Sequence, residues 1–422
     1  MTLFTLLFAL FLLLDASLRF WLARRQVAHV MHHRDAVPAI FADQISLRSH
    51  QRAADYTVAR VRMGLIERIV DAGVLVGLTL LGGLQAIDFG LMRWIDNDFI
   101  RQLLLLASVG VIMMLIGLPF SLWRQFRLEA RFGFNRMTLP LFFSDLAKNI
   151  VLSTLLGLPL AAAVLWLMTE AGTLWWLWAW LLWVAFNLVM LVAFPLWIAP
   201  LFNRFTQLED ETLAGRIRNL ATRCGFPLDG LFVMDGSRRS AHGNAYFTGF
   251  GKARRIVFFD TLLSRLNHDQ IEAVLAHELG HFHHRHILKR IVVSFTLSLG
   301  FFALLGWLST QLWFYASLGV APMLNGSHHA MALVLFCLVV PVFTFPFAFI
   351  TNMGSRRDEF QADAYAASQS NADHLIAALV RLYDDNAATL TPDPLHSAFY
   401  DSHPPAAVRI ARLRLAGGAQ PA

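Results

Sequence analysis

Two histidines four residues apart, His277 and His281, enclose Glu278 in the run Ala276-His277-Glu278-Leu279-Gly280-His281. On a helix, positions i and i+4 share one face about a turn apart, so both imidazoles can grip one ion. Glu278 lies about 100° around the same helix. It stands aside from the two-histidine clamp but within reach of a water beside the ion, the place of a general base in a zinc peptidase. Ile271, Val274, Leu275 and Leu279 cover the other faces, so the helix is embedded.

Catalytic zinc takes three protein ligands and keeps one position open. An H-x-x-G-x-x-H pattern would add a third histidine, but the glycine position holds His284. The third ligand must come from elsewhere, and the best candidate is Glu359 in Arg357-Asp358-Glu359-Phe360-Gln361-Ala362-Asp363. Glu359 and Asp363 are i and i+4 on a helix, so one can bind metal while the other supports a ligand. Without the histidine motif, Glu359 beside Arg356 and Arg357 would read as a solvated helix charge. His283, His284 and His286 read as interfacial residues or as supports for the ligands. The expected cofactor is one Zn2+ per chain.

These groups need a scaffold, and composition says which kind. Hydrophobic residues make up 56% and charged residues 15% of the 422. Soluble domains carry about 25% charged residues. The deficit is gathered in blocks, which points to a membrane rather than a large core. The net charge of +6 then reflects how membrane proteins distribute Lys and Arg, not a nucleic-acid partner. Cys224 and Cys337 lie in unlike surroundings and form no disulfide framework.

A membrane-spanning helix needs about 20 apolar residues, and about seven blocks qualify. They cover 3–22, 66–87, 103–123, 151–168, 175–197, 291–314 and 330–350. The first lacks a basic leader and is read as a span, not a cleaved signal. Asp15 within it should face other helices as a structural hydrogen-bonding group. Arginine-rich loops follow the first and third blocks, while the fourth-to-fifth and sixth-to-seventh connections have no Lys or Arg. The N-terminus is therefore expected outside, with 198–290 and the C-terminal tail on the cytosolic side. The division is 1–197 (five spans), 198–290 (first catalytic part), 291–350 (two spans) and 351–422 (second catalytic part).

Within the soluble parts, spacing predicts an amphipathic helix over 209–224 and strands over 231–234, 245–250 and 255–260. Asn267 with Gln270 marks the start of a helix over 268–286. Further helices are expected over 356–369, 372–384 and 405–415, the last beginning at Pro405. The fold class is mainly α: a polytopic membrane protein with a zincin-like α/β catalytic domain on the cytosolic face.

Several separated motifs resemble the type I CAAX prenyl proteases, a family of multi-span zinc endopeptidases. They are FGFNRMT at 132–138, APLFNRF at 199–205, SAHGNAYFTGF at 240–250, LAHELGHFHHRH at 275–286, RRDEFQADAYA at 356–366 and DSHPP at 401–405. The resemblance implies a gluzincin site with His277, His281 and Glu359 as ligands, Glu278 as base and Asp363 orienting a ligand histidine. It implies an edge strand carrying Asn244, Ala245, Tyr246 and Phe247, on which an extended substrate pairs. Asn244 also reads as a turn residue after Gly243. His403 and Arg409 match the tail motif and would stabilise an oxyanion, with a helix-capping His403 as the plainer reading. The family is associated with an enclosed chamber among the spans, which nothing in the composition shows.

The expected activity is zinc-dependent endoproteolysis of peptides or membrane proteins at the cytosolic membrane face, among membrane lipids. By resemblance the substrate would be a C-terminal prenylated peptide. The Arg-rich, Lys-poor usage is bacterial in style, which suggests an inner membrane and, as an alternative, quality control of membrane proteins without prenyl specificity. A transporter or receptor with a structural metal site is a second class, but the spans lack the paired Gly/Pro breaks of inverted repeats. An intramembrane protease conflicts with the polar run His281 to Arg290, unsuited to mid-bilayer.

Overall fold

Hydropathy blocks become long helices in the computed structural model, which describes residues 2–248, 254–321 and 328–417. The first part contains α1 (Leu3–His32), α2 (Leu47–Leu78), α3 (Gly83–Met92), α4 (Asp98–Trp123), α5 (Leu139–Glu170) and α6 (Trp175–Ala193). Six helices among the described residues are long and apolar enough to cross a membrane, or seven if α2 and α3 form one broken span. Only 6% of the apolar window of α1 is buried within the protein, so its side chains are left for hydrocarbon. Asp15 pairs with Arg19 one turn away at 2.8 Å, an internal ion pair in α1.

The block expected as one span at 66–87 is bent by 53° between α2 and α3. Gly82 takes φ +77°, and a Cβ on Gly83 would lie 2.5 Å from the Gly77 carbonyl oxygen. Two adjacent glycines make this tight reversal possible; average hydropathy does not register it. Beyond α6, a π-helical turn (Phe194–Ile198) leads through the short α7 (Ala199–Phe202) into the soluble part.

There β1 (Phe205–Gln207), α8 (Glu211–Arg223), β2 (Leu228–Met234), β3 (Ala245–Thr248), β4 (Arg254–Phe259), α9 (Asp260–Leu263) and α10 (His268–His283) follow in order. The sheet order is β1-β2-β4-β3, with β2 and β4 parallel and both outer pairings antiparallel. The strand expected over 245–250 ends at Thr248, and Gly249 and Phe250 lie outside the described residues. Three-residue β1 had no usable alternation and was not predicted. Leu213, Ile217 and Leu220 of α8 pack with Ile256 and Phe258 of β4 and Ile271, Leu275 and Leu279 of α10 in one buried core.

The helix predicted over 268–286 stops at His283 because Arg285 turns left-handed at φ 56°. α11 (His286–Leu308) starts there as the next span, followed by the short α12 (Leu312–Ser317). α13 (His329–Thr344) passes through a 3-10 turn at Phe345–Phe347 into α14 (Ala348–Gln369). The last span therefore feeds directly into the helix carrying Glu359, which starts inside the block predicted to end at 350. α15 (Ala372–Asp385), α16 (Pro394–Tyr400) and α17 (Ala406–Gly417) complete the fold. Pro405 stands one residue before α17, and its carbonyl accepts from Val408 and Arg409.

The two parts are tied together near the sheet. Asn135 bridges to Ser240, and the Ala241 N–H donates to the Phe134 carbonyl at 3.1 Å. Arg239 forks onto Asp145 of α5 at 2.8 and 3.0 Å. The motifs at 132–138 and 240–250 thus meet, which neither reveals alone.

Candidate metal centre

Two helices build the centre. The start of α10 is closed by a reciprocal cap: Gln270 N–H donates to Asn267 Oδ1 at 2.9 Å, and Asn267 N–H to Gln270 Oε1 at 3.0 Å. α10 carries His277 and His281 one turn apart, and α14 carries Glu359 and Asp363 at the same spacing. Gly280 lets the helices touch. A Cβ there would sit 2.8 Å from the Ala362 Cα and 3.0 Å from its carbonyl oxygen.

His277, His281 and Glu359 each offer one ligand atom, all within 4.8 Å of one another. His277 Nε2 lies 3.4 Å from Glu359 Oε2, and His281 Nε2 lies 3.2 Å from Glu359 Oε1. Glu359 is 2% exposed, and its Oε2 has no hydrogen bond among the described residues, with His277 Nε2 at 3.4 Å and Arg409 Nη1 at 3.6 Å. A buried carboxylate oxygen without a hydrogen bond is costly. A cation between these donors would remove that cost, so the residues present fit a metal ion. Burial pushes the His277 imidazole down, yet the neighbouring carboxylates of Asp363 and Glu359 outweigh it and hold its pKa above the ordinary value. The pocket favours positive charge.

Behind His277 stands a buried pair. His277 Nδ1 is 2.9 Å from Asp363 Oδ1. Arg409 donates to both Asp363 oxygens through Nε and Nη2. Arg409 Nη2 is also 3.3 Å from His277 Nδ1, but two N–H donors cannot bond each other. With Nδ1–H given to Asp363, a neutral His277 would offer its Nε2 lone pair to an ion held beside Glu359. Arg409, at 6% exposure, lies in the wall of the site, with its Nη1 3.6 Å from Glu359 Oε2.

On the open side, His403 Nε2 is 3.4 Å from Glu359 Oε1, and Ser402 Oγ is 3.0 Å from His403 Nδ1. Glu278 is half-buried, and its charge bears on His403. Arg356 of α14 holds the loop that carries His403, donating to the Asp401 carbonyl at 3.2 Å and to Ser397. His403 and Tyr383 line a cavity of about 1020 Å³ shared with Tyr56 and Arg60 of α2. Sequence reasoning passed over Gly280 and Arg356. The first is a small residue inside the histidine motif, and the second was read only as a neighbour of Glu359.

Asn244, Ala245 and Tyr246 sit on the sheet edge. The Asn244 carbonyl accepts from Phe259 N–H at 2.9 Å, and its Oδ1 accepts from Ala245 N–H at 2.8 Å. β3 pairs with β4 from Ala245↔Phe258 to Thr248↔Arg255, and among the described residues no strand pairs with its other edge. The backbone bonds of these residues run within the sheet and its turn, not to the histidine cluster.

Known proteins are similar to this chain in sequence and fold. Residues 26–204 match the family model for the CAAX prenyl protease N-terminal region with five membrane helices, and residues 207–416 match peptidase family M48. The chain is 34% identical over 393 residues to a CAAX prenyl protease 1 homolog of Arabidopsis thaliana, covering 89% of each. It is 31% identical to CAAX prenyl protease 1 of Saccharomyces cerevisiae, covering 89% of this chain and 88% of the relative. The crystal structure of S. mikatae Ste24p superposes with a TM-score of 0.91 at 29% identity, covering 98% of this chain and 99% of that one.

Proposed function

This chain belongs to the M48 family of membrane metalloproteases, together with the CAAX prenyl proteases, and from that premise we propose a zinc endopeptidase whose single metal is held by His277, His281 and Glu359. The observation that carries the reading is the buried Glu359 carboxylate, whose Oε2, without a hydrogen bond, lies 3.4 Å from His277 Nε2 and whose Oε1 lies 3.2 Å from His281 Nε2. Two nitrogens and one carboxylate oxygen are a donor set suited to catalytic zinc with one open position. When bound, the ion supplies Lewis acidity, polarising a peptide carbonyl and easing loss of a proton from a nearby water.

The protein's own groups do the rest. Glu278 takes the proton from the water that attacks the carbonyl carbon, and returns it to the amine as the C–N bond breaks. With the Ser402 hydroxyl donating to Nδ1 of His403, 3.0 Å away, Nε2–H donates to the carbonyl oxygen as negative charge develops. Asp363 orients His277, and Arg409 fixes Asp363. The open edge at Asn244, Ala245 and Tyr246 takes an extended peptide as an added strand, a mode that reads backbone rather than sequence.

The relatives' names lead us to a peptide with a prenylated C-terminal cysteine as the first substrate class. The Lys-poor usage favours a bacterial inner membrane, and with it membrane-protein substrates lacking a prenyl group. The arginine-rich loops support a site on the cytosolic side. The catalytic unit is split between 198–290 and 351–422. Zinc analysis of purified protein, with cleavage of one peptide in prenylated and unprenylated forms, tests the reading. We expect one zinc per chain and cleavage of at least one form; a metal-free active enzyme contradicts it.

A further inference from the structure

We infer that His286 is a positioning residue for the metal: a neutral imidazole that fixes the ring and tautomer of His281. The inference rests on the zinc reading of His277, His281 and Glu359 and adds a residue to it. His286 is 1% exposed, and its Nδ1 lies 2.9 Å from His281 Nδ1. Two facing ring nitrogens can bond only if one donates and the other accepts. His281 Nε2 points at the cluster, 3.2 Å from Glu359 Oε1, so its lone pair belongs there and its Nδ1 carries the hydrogen. His286 Nδ1 is then the acceptor. Its Nε2–H donates to Gln361 Oε1 at 2.9 Å, with Asp358 Oδ1 at 3.5 Å. With an ion held between His281 Nε2 and Glu359, one neutral tautomer of each ring would satisfy every contact.

The backbone is shaped to bring His286 there. α10 ends at His283, and Arg285 adopts φ 56°, uncommon for a residue with a side chain. This reversal folds the first residue of α11 back against a histidine five positions upstream. Gln361 and Asp358 come from α14, the helix that carries Glu359. Arg290 of α11 closes the set, donating to Asp358 at 3.2 and 3.3 Å and to Ser355 at 3.1 Å. Three helices therefore meet behind His281.

The two candidate ligands are supported differently. His277 is backed by a carboxylate with its own arginine, and His281 by a neutral imidazole and an amide. A partner behind a ligand histidine fixes its ring and tautomer, and losing it costs about 10–100-fold in metal affinity. His286 does this for His281 without adding negative charge to the site.

The test uses the full-length protein in detergent. Zinc affinity is measured by chelator competition, and the absorption bands of the cobalt-substituted protein report ligand geometry. His286→Leu fills the space but offers no acceptor. His286→Asn places an amide oxygen where Nδ1 stood. We expect Leu to weaken zinc by about 10–100-fold and to shift the cobalt bands, and Asn to restore most of both. Should the Leu variant fail to fold, His286→Gln replaces it, because its longer side chain carries the amide past the Nδ1 position. Unchanged affinity in the Leu or Gln variant, or equal loss with Asn, overturns the inference while leaving the zinc reading intact. A wild-type protein that binds no zinc overturns both.

Discussion

Arg409 forks onto Asp363, with Nε to Oδ2 at 2.9 Å and Nη2 to Oδ1 at 2.6 Å, and both side chains are buried. The pair lies directly behind His277, so it couples the tail helix α17 to a candidate ligand. Removing one member of a buried pair leaves the other uncompensated, at about 3–5 kcal/mol.

Arg409→Leu should therefore lower stability by about that amount and weaken zinc by about 10–100-fold. Arg409→Lys keeps the charge but loses the fork and should fall between. Thermal unfolding in detergent and chelator competition measure the two effects. Wild-type zinc affinity in Arg409→Leu would show that Asp363 needs no arginine to hold His277.

Gly280→Ala tests the contact between the two ligand helices. The added Cβ meets backbone atoms of Ala362, which cannot rotate away as a side-chain tip could. Overpacking of this kind costs about 1–3 kcal/mol. The helices should separate, weakening zinc as well as the fold. Gly215→Ala in α8 is the control, because nothing lies within 4 Å of its Cβ position. It should be neutral or stabilise by up to about 1 kcal/mol. Equal behaviour of the two variants in unfolding would contradict the close contact at Gly280.

Zinc affinity should rise with pH. Burial lowers the His277 pKa, but the carboxylates of Asp363 and Glu359 beside it outweigh this, so the folded value lies above the ordinary one. In the metal-free protein, protonated His277 thus adds stability that is complete below about pH 6.5 and is lost as pH rises through the folded value. Zinc needs the neutral ring, so binding releases this proton wherever pH is below that value. Affinity should climb through this window and level off above it, and in Asp363→Asn the levelling should come at lower pH. Chelator competition across the range measures it; a flat profile from about pH 6 to 8 would contradict the assignment.

Much of the centre was legible because it is local. The i, i+4 spacings of His277 with His281 and of Glu359 with Asp363 are helix geometry, and the Asn267–Gln270 cap was readable from two residue types. The spans were readable as hydropathy. What escaped depends on single backbone angles or on contacts between distant segments. Gly82 breaks a span, Arg285 ends α10 early, and Gly280 matters only because Ala362 faces it. Arg356 looked like a surface charge until the loop bearing His403 folded against it.

Glu278→Gln tests the account most directly. The substitution keeps size and helix position, and it removes the proton acceptor without touching His277, His281 or Glu359. Metal analysis and peptide cleavage should be run on the same preparation, beside wild type. The account predicts one zinc per chain in both proteins, and loss of about 10²-fold or more in cleavage by the variant. Retained zinc with wild-type cleavage would contradict it.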